Sequence, residues 1–400
     1  MKKNDTAIDE LLTRGVEEVI VREHLEKRIR AGDKLRVKLG IDPTGPHLHI
    51  GHAVLLRKLK QFQELGHMIV LIIGDFTAQI GDPSGKSVTR KRLSEKDVRA
   101  NFASYFAQIG KILDVKKIEV RYNNEWFMKG GAALLTELTS FVTIQRVLER
   151  DDFQKRLKSD DDISVLEILY PLLQGYDSVA IKADVEIGGN DQKFNMLMGR
   201  RIQRRYEQPE QDVITMKLLV DPTGKKMGKT EGNMITLEDT AEDMYGKVMA
   251  WGDGMIVGGF ELCTDVPMEE VHAIAQQLRR EEVNPRDVKM RLAWEIVTLY
   301  HGAAAAKKAE AAFAQTFQRK EMPEDIRECR MQNAELGIID LLLQTKLTVS
   351  KSEARRVIEQ KGVKVDGKVV DDAQAMIQLS KKGVLIQKGK RYFVRVMSSA

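Results

Sequence analysis

One stretch near the N-terminus constrains the fold more than any other. Leu35-Arg36-Val37-Lys38-Leu39-Gly40-Ile41 alternates like a strand, and Val54, Leu55, Leu59, Phe62 and Leu65 recur at helical spacing. The apolar run Met68–Ile73 follows at once, long enough for a buried strand and far too short to span a membrane. Strand, helix and strand joined by short connections make a βαβ unit, which calls for a parallel sheet covered by helices. Between the first strand and the helix lie the turn-rich Asp42-Pro43-Thr44-Gly45-Pro46 and then His49-Ile50-Gly51-His52. A helix that starts there offers free N–H groups and a positive dipole end to phosphate. His49 and His52 are three apart and share a face, while Gly51 leaves its backbone open to a flat base. The competing reading is a pair of surface histidines at an ordinary helix start.

The 400 residues suggest two or three domains, and 42% hydrophobic with 31% charged residues is an ordinary globular balance. Cys263 and Cys329 stand far apart with no ligand spacing, which argues against a structural zinc site and for a reducing compartment. The opening residues carry no apolar signal-peptide core, so a cytoplasmic location is the expectation. Charge is unevenly placed. Residues 331–400 hold 13 basic against 7 acidic side chains, leaving the first 330 near neutral despite a net charge of +5. That concentration is the footprint of a polyanion-binding module.

Further signals organise the chain. Asp184–Ile187 reads as a strand ending at Gly188-Gly189, Val213–Leu219 as another, and 118–162 as an inserted helical segment. From about Leu237 to Phe317 the pattern is helical, and Glu321–Asp325 looks like a polar linker. Beyond it, Ser350–Lys361 opens with capping-box spacing, Val363–Val369 alternates around Asp-Gly as a hairpin, and Tyr392–Val396 reads as a strand.

Four clusters can carry chemistry. Gly81-Asp82-Pro83-Ser84-Gly85-Lys86-Ser87 fails as a P-loop, because Ile80 stands where a glycine is needed, but it places Asp82 near the sheet edge. Tyr170, Gln174 and Asp177 share one helix face, with Pro171 predicting a kink or a restart. Gly188-Gly189-Asn190-Asp191-Gln192 follows a strand, where an aspartate can accept from a ribose. Gly224–Gly232 is a glycine-punctuated loop with Lys226 and Lys229. Arg200, Arg201, Arg204 and Arg205 read either as a charged helix face or as a nucleic-acid contact.

Together these clusters resemble the class I aminoacyl-tRNA synthetases, specifically the bacterial tyrosyl-tRNA synthetases. Pro43–His52 is similar to the HIGH signature, and Lys226-Met227-Gly228-Lys229-Thr230 to KMSKS with Gly and Thr in place of the serines. Gly81–Gly85, Tyr170-x-x-x-Gln174-x-x-Asp177 and Gly188–Gln192 carry the subfamily likeness. Lys346–Gly367 resembles the RNA-binding fold first named for ribosomal protein S-four. The resemblance implies an α/β chain: a Rossmann-like catalytic domain over 1–230 with the helical insertion, an α-helical anticodon-binding domain over 231–325, and a small α+β RNA-binding domain over 333–400. It implies a homodimer without membrane attachment. The substrates would be L-tyrosine, ATP and tRNA(Tyr), with Mg2+ on the nucleotide and no protein-bound metal.

The same resemblance assigns roles. His49 and His52 contact the ATP phosphates, and Gly51 makes room for adenine. Asp191 and the Gly189 backbone hold the ribose. Lys226 and Lys229 close over the β- and γ-phosphates. Asp82, Tyr170 and Gln174 hold the tyrosine ammonium, Asp177 accepts the phenolic hydroxyl, and Gln192 lies near the carboxylate. Lys38 stands where well-known members carry a tyrosine, so it is left out of the expected site. An unpaired Asp177 would penalise phenylalanine; tyrosyl-tRNA synthetases are themselves the standard example, at roughly 10⁵ without editing, a magnitude that belongs to the family. The tryptophanyl class and a catalytically dead RNA-binding paralogue remain as alternatives.

Overall fold

The alternation of the first half builds a six-stranded sheet. Its strands are β1 (Val16–Ile20), β2 (Arg36–Ile41), β3 (Met68–Ile73), β4 (Ile118–Tyr122), β5 (Val185–Gly189) and β6 (Asp212–Met216). They lie in the order β1-β6-β5-β2-β3-β4. β1 runs antiparallel to β6, and every other neighbouring pair is parallel. The chain moves outward from β2 through β3 to β4, then returns to place β5 on the other side of β2. The reversal between β2 and β5 is a topological switch point, and open α/β sheets bind ligands at the carboxyl ends of such strands.

The structure, a computed structural model, describes residues 3–83, 94–102, 104–220, 234–318, 326–332, 335–380, 383–389 and 392–398. The expected loop with Lys226 and Lys229, Ser84–Ser87 and the expected linker Glu321–Asp325 lie outside the described residues.

One expectation changes, and one choice between alternatives is decided. The segment read as a helical insertion over 118–162 begins with a strand, β4, and its helices start at Asn124. Ile118-Glu119-Val120-Arg121-Tyr122 reads as mixed because it is an edge strand with no fully buried position. Of the two alternatives at Pro171, a kink or a restart, the restart does not occur: one Val165–Ile181 helix runs through the proline. Ser164 caps it, accepting from the Leu166 N–H, and Glu167 returns the favour to the Ser164 N–H at 3.0 Å. That helix, the Asn124–Ser140 helix and the Lys193–Arg205 helix pack one core on the sheet, around Val70, Ile72, Leu172, Met198 and Ile202.

The chain divides into two units: Met1–Thr240 with Lys247–Tyr300, and Ala241–Gly246 with His301–Ala400. The segment expected as one helical domain over 231–325 is therefore shared. Ile256–Cys263, Met268–Arg279 and most of Pro285–His301 belong with the sheet, while Ala303–Gln318 belongs with the C-terminal unit.

The C-terminal unit holds a five-stranded sheet, in which β7 (Arg327–Met331), β9 (Val363–Val365), β10 (Lys368–Val369), β12 (Val384–Lys388) and β13 (Tyr392–Ser398) are ordered β10-β9-β12-β13-β7. A short pair, β8 (Glu335–Gly337) and β11 (Met376–Gln378), stands beside it. Asp366 and Gly367 turn between β9 and β10 with φ of 46° and 79°, the left-handed pair a two-residue hairpin needs. Ser350 caps the Lys351–Glu359 helix by accepting from the Glu353 N–H; the Glu353 carboxylate answers one residue earlier, at Val349 N–H. Among the described residues no helix is long and apolar enough to cross a membrane.

Candidate active site

A cavity of about 210 Å³ opens at the switch point. β2 lends it Leu39–Ile41 and then Asp42, β5 lends Glu186–Gly189, and the Val165–Ile181 helix lends Tyr170, Gln174 and Asp177. Seven expected residues meet in its wall: His52, Asp82, Tyr170, Gln174, Asp177, Gly189 and Gln192. His49, Gly51 and Asp191 stand outside the wall but within a few residues of it, at the helix start and in the turn after β5. Lys226 and Lys229 lie outside the described residues.

The helix start makes one side of the cavity. His49 is the N-cap of the Ile50–Glu64 helix. Its Nδ1 accepts from the Gly51 N–H at 3.1 Å, and the His52 Nδ1 accepts from the His49 N–H at 3.2 Å. The two rings lie 3.9 Å apart between centroids. A ring nitrogen that accepts carries no proton, so each neutral imidazole holds its proton on Nε2 and presents a donor there. Gly51 has a second reason to be glycine, because a Cβ would stand 3.0 Å from the His49 ring. The segment after the lysine loop is fastened to this start. Ile50 N–H donates to the Ile235 carbonyl and Leu237 N–H to the Leu48 carbonyl, both at 3.0 Å. Residues Ile235 and Leu237 are thereby tied to the helix start across nearly two hundred residues of sequence.

The opposite side is buried and acidic. Asp177 is 4% exposed; Trp126 Nε1 donates to it at 2.9 Å and Asn123 Nδ2 at 3.4 Å. Burial pushes its carboxyl up to about 7, against the pull of Lys38, Trp126 and Asn123. Tyr170 donates its hydroxyl to Asp42 at 2.9 Å, and Thr77 donates to the other Asp42 oxygen at 2.8 Å. Burial, with Asp42 and Asp82 nearby, holds the Tyr170 phenol well above its ordinary range, so it remains a donor. Gly74 is indispensable here: a Cβ would fall 1.9 Å from Asp42 Oδ1. At Gly189 a Cβ would meet Asp191 Oδ1 at 2.5 Å.

Lys38 is fully buried and turned away from any open role. Its ammonium pairs with Glu186 at 2.9 Å and donates to the Gln174 carbonyl at 2.9 Å and to Ser178 Oγ at 2.7 Å. Three partners saturate its three hydrogens. Glu186, Asp42, Thr77, Asn123 and Trp126 are participants that motif reading misses. The one sequence signal for Glu186 is a charged residue on each of two neighbouring parallel strands, Lys38 on β2 and Glu186 on β5.

Comparison with known proteins places the chain in a family. Residues 30–318 match the family of class I tRNA synthetases for W and Y, and residues 315–396 match the tyrosine–tRNA ligase SYY-like C-terminal domain. The chain is 46% identical over 391 residues to a tyrosine–tRNA ligase of Moorella thermoacetica, covering 96% of this chain and 94% of that one. It is 48% identical over 402 residues to tyrosine–tRNA ligase 2 of Clostridium acetobutylicum, covering 99% and 100%. Among solved structures, the fold is similar to a C-terminally truncated mitochondrial tyrosyl-tRNA synthetase of Aspergillus nidulans, with TM-score 0.63, 21% identity and coverage of 78% of this chain and 94% of that one. It is likewise similar to the tyrosyl-tRNA synthetase of Archaeoglobus fulgidus complexed with L-tyrosine, with TM-score 0.62, 21% identity and coverage of 77% and 99%. The chain belongs to the tyrosyl-tRNA synthetases, within the class I tRNA synthetases for tryptophan and tyrosine.

Proposed function

We propose that this chain is a tyrosine–tRNA ligase whose cavity at the switch point holds tyrosine beside ATP. A tyrosine carboxylate oxygen attacks the α-phosphorus, the bond to the bridging oxygen breaks, and pyrophosphate leaves with the electron pair. The adenylate then gives its tyrosyl group to a ribose hydroxyl of the terminal adenosine of tRNA(Tyr), releasing AMP. The first step needs no side-chain nucleophile, because the attacking carboxylate is already ionised. Positioning and charge stabilisation supply the rate.

Within this reading His49 and His52 donate from Nε2 to the phosphates, and Lys226 and Lys229 neutralise the departing pyrophosphate. Gly51, Gly189 and Asp191 take the adenosine. Asp82, Tyr170 and Gln174 hold the ammonium, Asp177 accepts from the phenol, and Gln192 faces the carboxylate. Mg2+ enters with the phosphates of ATP, as the general logic of phosphate transfer calls for. The observation that carries the reading is the meeting of His52 with Asp82, Tyr170, Gln174 and Asp177 in one cavity wall.

We assign the helices over 241–318 to the anticodon arm and the C-terminal unit, with its S-four-like segment, to the tRNA. Exposed Lys346, Lys351, Arg355, Arg356, Lys361 and Lys368 supply that unit's charge. Homodimerisation through the 124–165 segment accounts for its exposed apolar side chains, Met128 at 72%, Ile144 at 56%, Leu157 at 52% and Val165 at 72%. The cytoplasm is the proposed site of action. The direct test is amino-acid-dependent ATP–pyrophosphate exchange. Tyrosine should support it; exchange with tryptophan and not tyrosine would overturn the reading.

A further inference from the structure

Both glutamines of the cavity have amide groups that present either an oxygen or an NH2 to a ligand, and the two choices have opposite meaning for a charged amino acid. One buried residue touches both. Asn195 is fully buried. Its Nδ2 donates to Gln174 Oε1 at 2.9 Å and to Gln192 Oε1 at 3.0 Å. Its Oδ1 accepts from Arg150 Nη1 at 2.9 Å.

The direction of every bond in this chain is fixed by charged ends. A guanidinium only donates and an ionised carboxylate only accepts. Arg150, itself 3% exposed and stacked over Phe153 and Phe194, therefore forces the Asn195 oxygen toward itself and the Asn195 NH2 toward the glutamines. Beyond the glutamines stand two acceptors. Gln174 Nε2 donates to Glu186 at 3.2 Å, and Gln192 Nε2 donates to Asp82 at 2.7 Å. Glu186 is paired with the Lys38 ammonium at 2.9 Å. Turning either glutamine would set NH2 against NH2 at Asn195 and oxygen against carboxylate at the other end.

We propose that Asn195, oriented by Arg150, is a positioning residue that sets the polarity of the amino-acid site. It holds Gln174 with its carbonyl oxygen, and Gln192 with its NH2, turned in the sense that an ammonium and a carboxylate require. The proposal rests on reading the cavity as the tyrosine site, and Asn195 itself need not touch the substrate.

Asn195→Asp tests it. The substitution keeps size and an ion-pair partner for Arg150 but removes both donated hydrogens, so the glutamines lose their fixed sense. In pyrophosphate exchange the KM for tyrosine should rise more than tenfold, the KM for ATP should stay within twofold, and the melting temperature should change by a few degrees at most. Asn195→Ser, which retains one donor, should fall between the wild type and Asn195→Asp in tyrosine KM. An unchanged tyrosine KM in both variants, or parallel rises for tyrosine and ATP, would overturn the role. If the unaltered chain fails to exchange with tyrosine, the functional reading itself is refuted, and this role with it.

Discussion

The two sides of the cavity are built in opposite ways. The proposed phosphate side is local: His49, Gly51 and His52 fall within one helical turn, and the backbone of that turn fixes both rings. The proposed amino-acid side is assembled from β2, β5, the turn after β3, the Asn124–Ser140 helix and the Val165–Ile181 helix, and it is held by buried side chains bonded to one another. A site of the first kind survives changes elsewhere in the fold. One of the second kind couples substrate choice to the stability of the core.

That contrast predicts where damage appears. The largest effect belongs to Lys38→Met, which leaves Glu186 buried without its ion-pair partner. Breaking a buried pair in this way costs about 3–5 kcal/mol, read as a fall in the denaturant midpoint. Lys38→Met combined with Glu186→Gln should regain most of the loss. Equal stability of Lys38→Met and wild type would show that the amino-acid side does not lean on this pair.

Asp177→Asn comes next. Losing a charge-assisted acceptor costs about 1.5–3 kcal/mol, so kcat/KM for tyrosine should drop about a hundredfold while that for phenylalanine barely moves. His52→Ala should do the reverse. Loss of one donor to the developing charge costs about 3 kcal/mol or less, seen in the rate of adenylate formation with the KM for tyrosine within twofold. Equal losses in rate and in tyrosine binding would erase the division between the two sides. The smallest effect on this chemistry comes from removing residues 332–400: exchange should persist while tRNA charging falls steeply, and unimpaired charging would separate the basic unit from the tRNA.

The division also explains what could be read in advance. The βαβ unit, the helix start and the Asp-Gly hairpin are patterns of adjacent residues, so periodicity and turn chemistry reveal them. Tyr170, Gln174 and Asp177 were legible as one helix face. Their partners were not: Asn123, Trp126 and Thr77 reach the site only because β3 and β4 end beside it, and nothing local marks them. β4 was hidden because an edge strand has half its pattern in water. Lys38 stood out only as a departure from the family's tyrosine, and its partner Glu186 lies on a strand distant in sequence and adjacent in space.

Asp177 offers the sharpest test, because its carboxyl titrates near 7 under burial. Below that pH it gains a proton and stops being a charged acceptor. The sign for stability is opposite: a raised carboxyl favours the folded chain when protonated, and that contribution is lost as pH rises toward 7. The decisive measurement is kcat/KM for tyrosine in pyrophosphate exchange from pH 8.5 to 5.5, in the wild type and in Asp177→Asn. The account predicts a fall approaching tenfold per pH unit below about 7 in the wild type and no such inflection in the variant. The same inflection in both would contradict the claim that this buried carboxylate reads the substrate's hydroxyl.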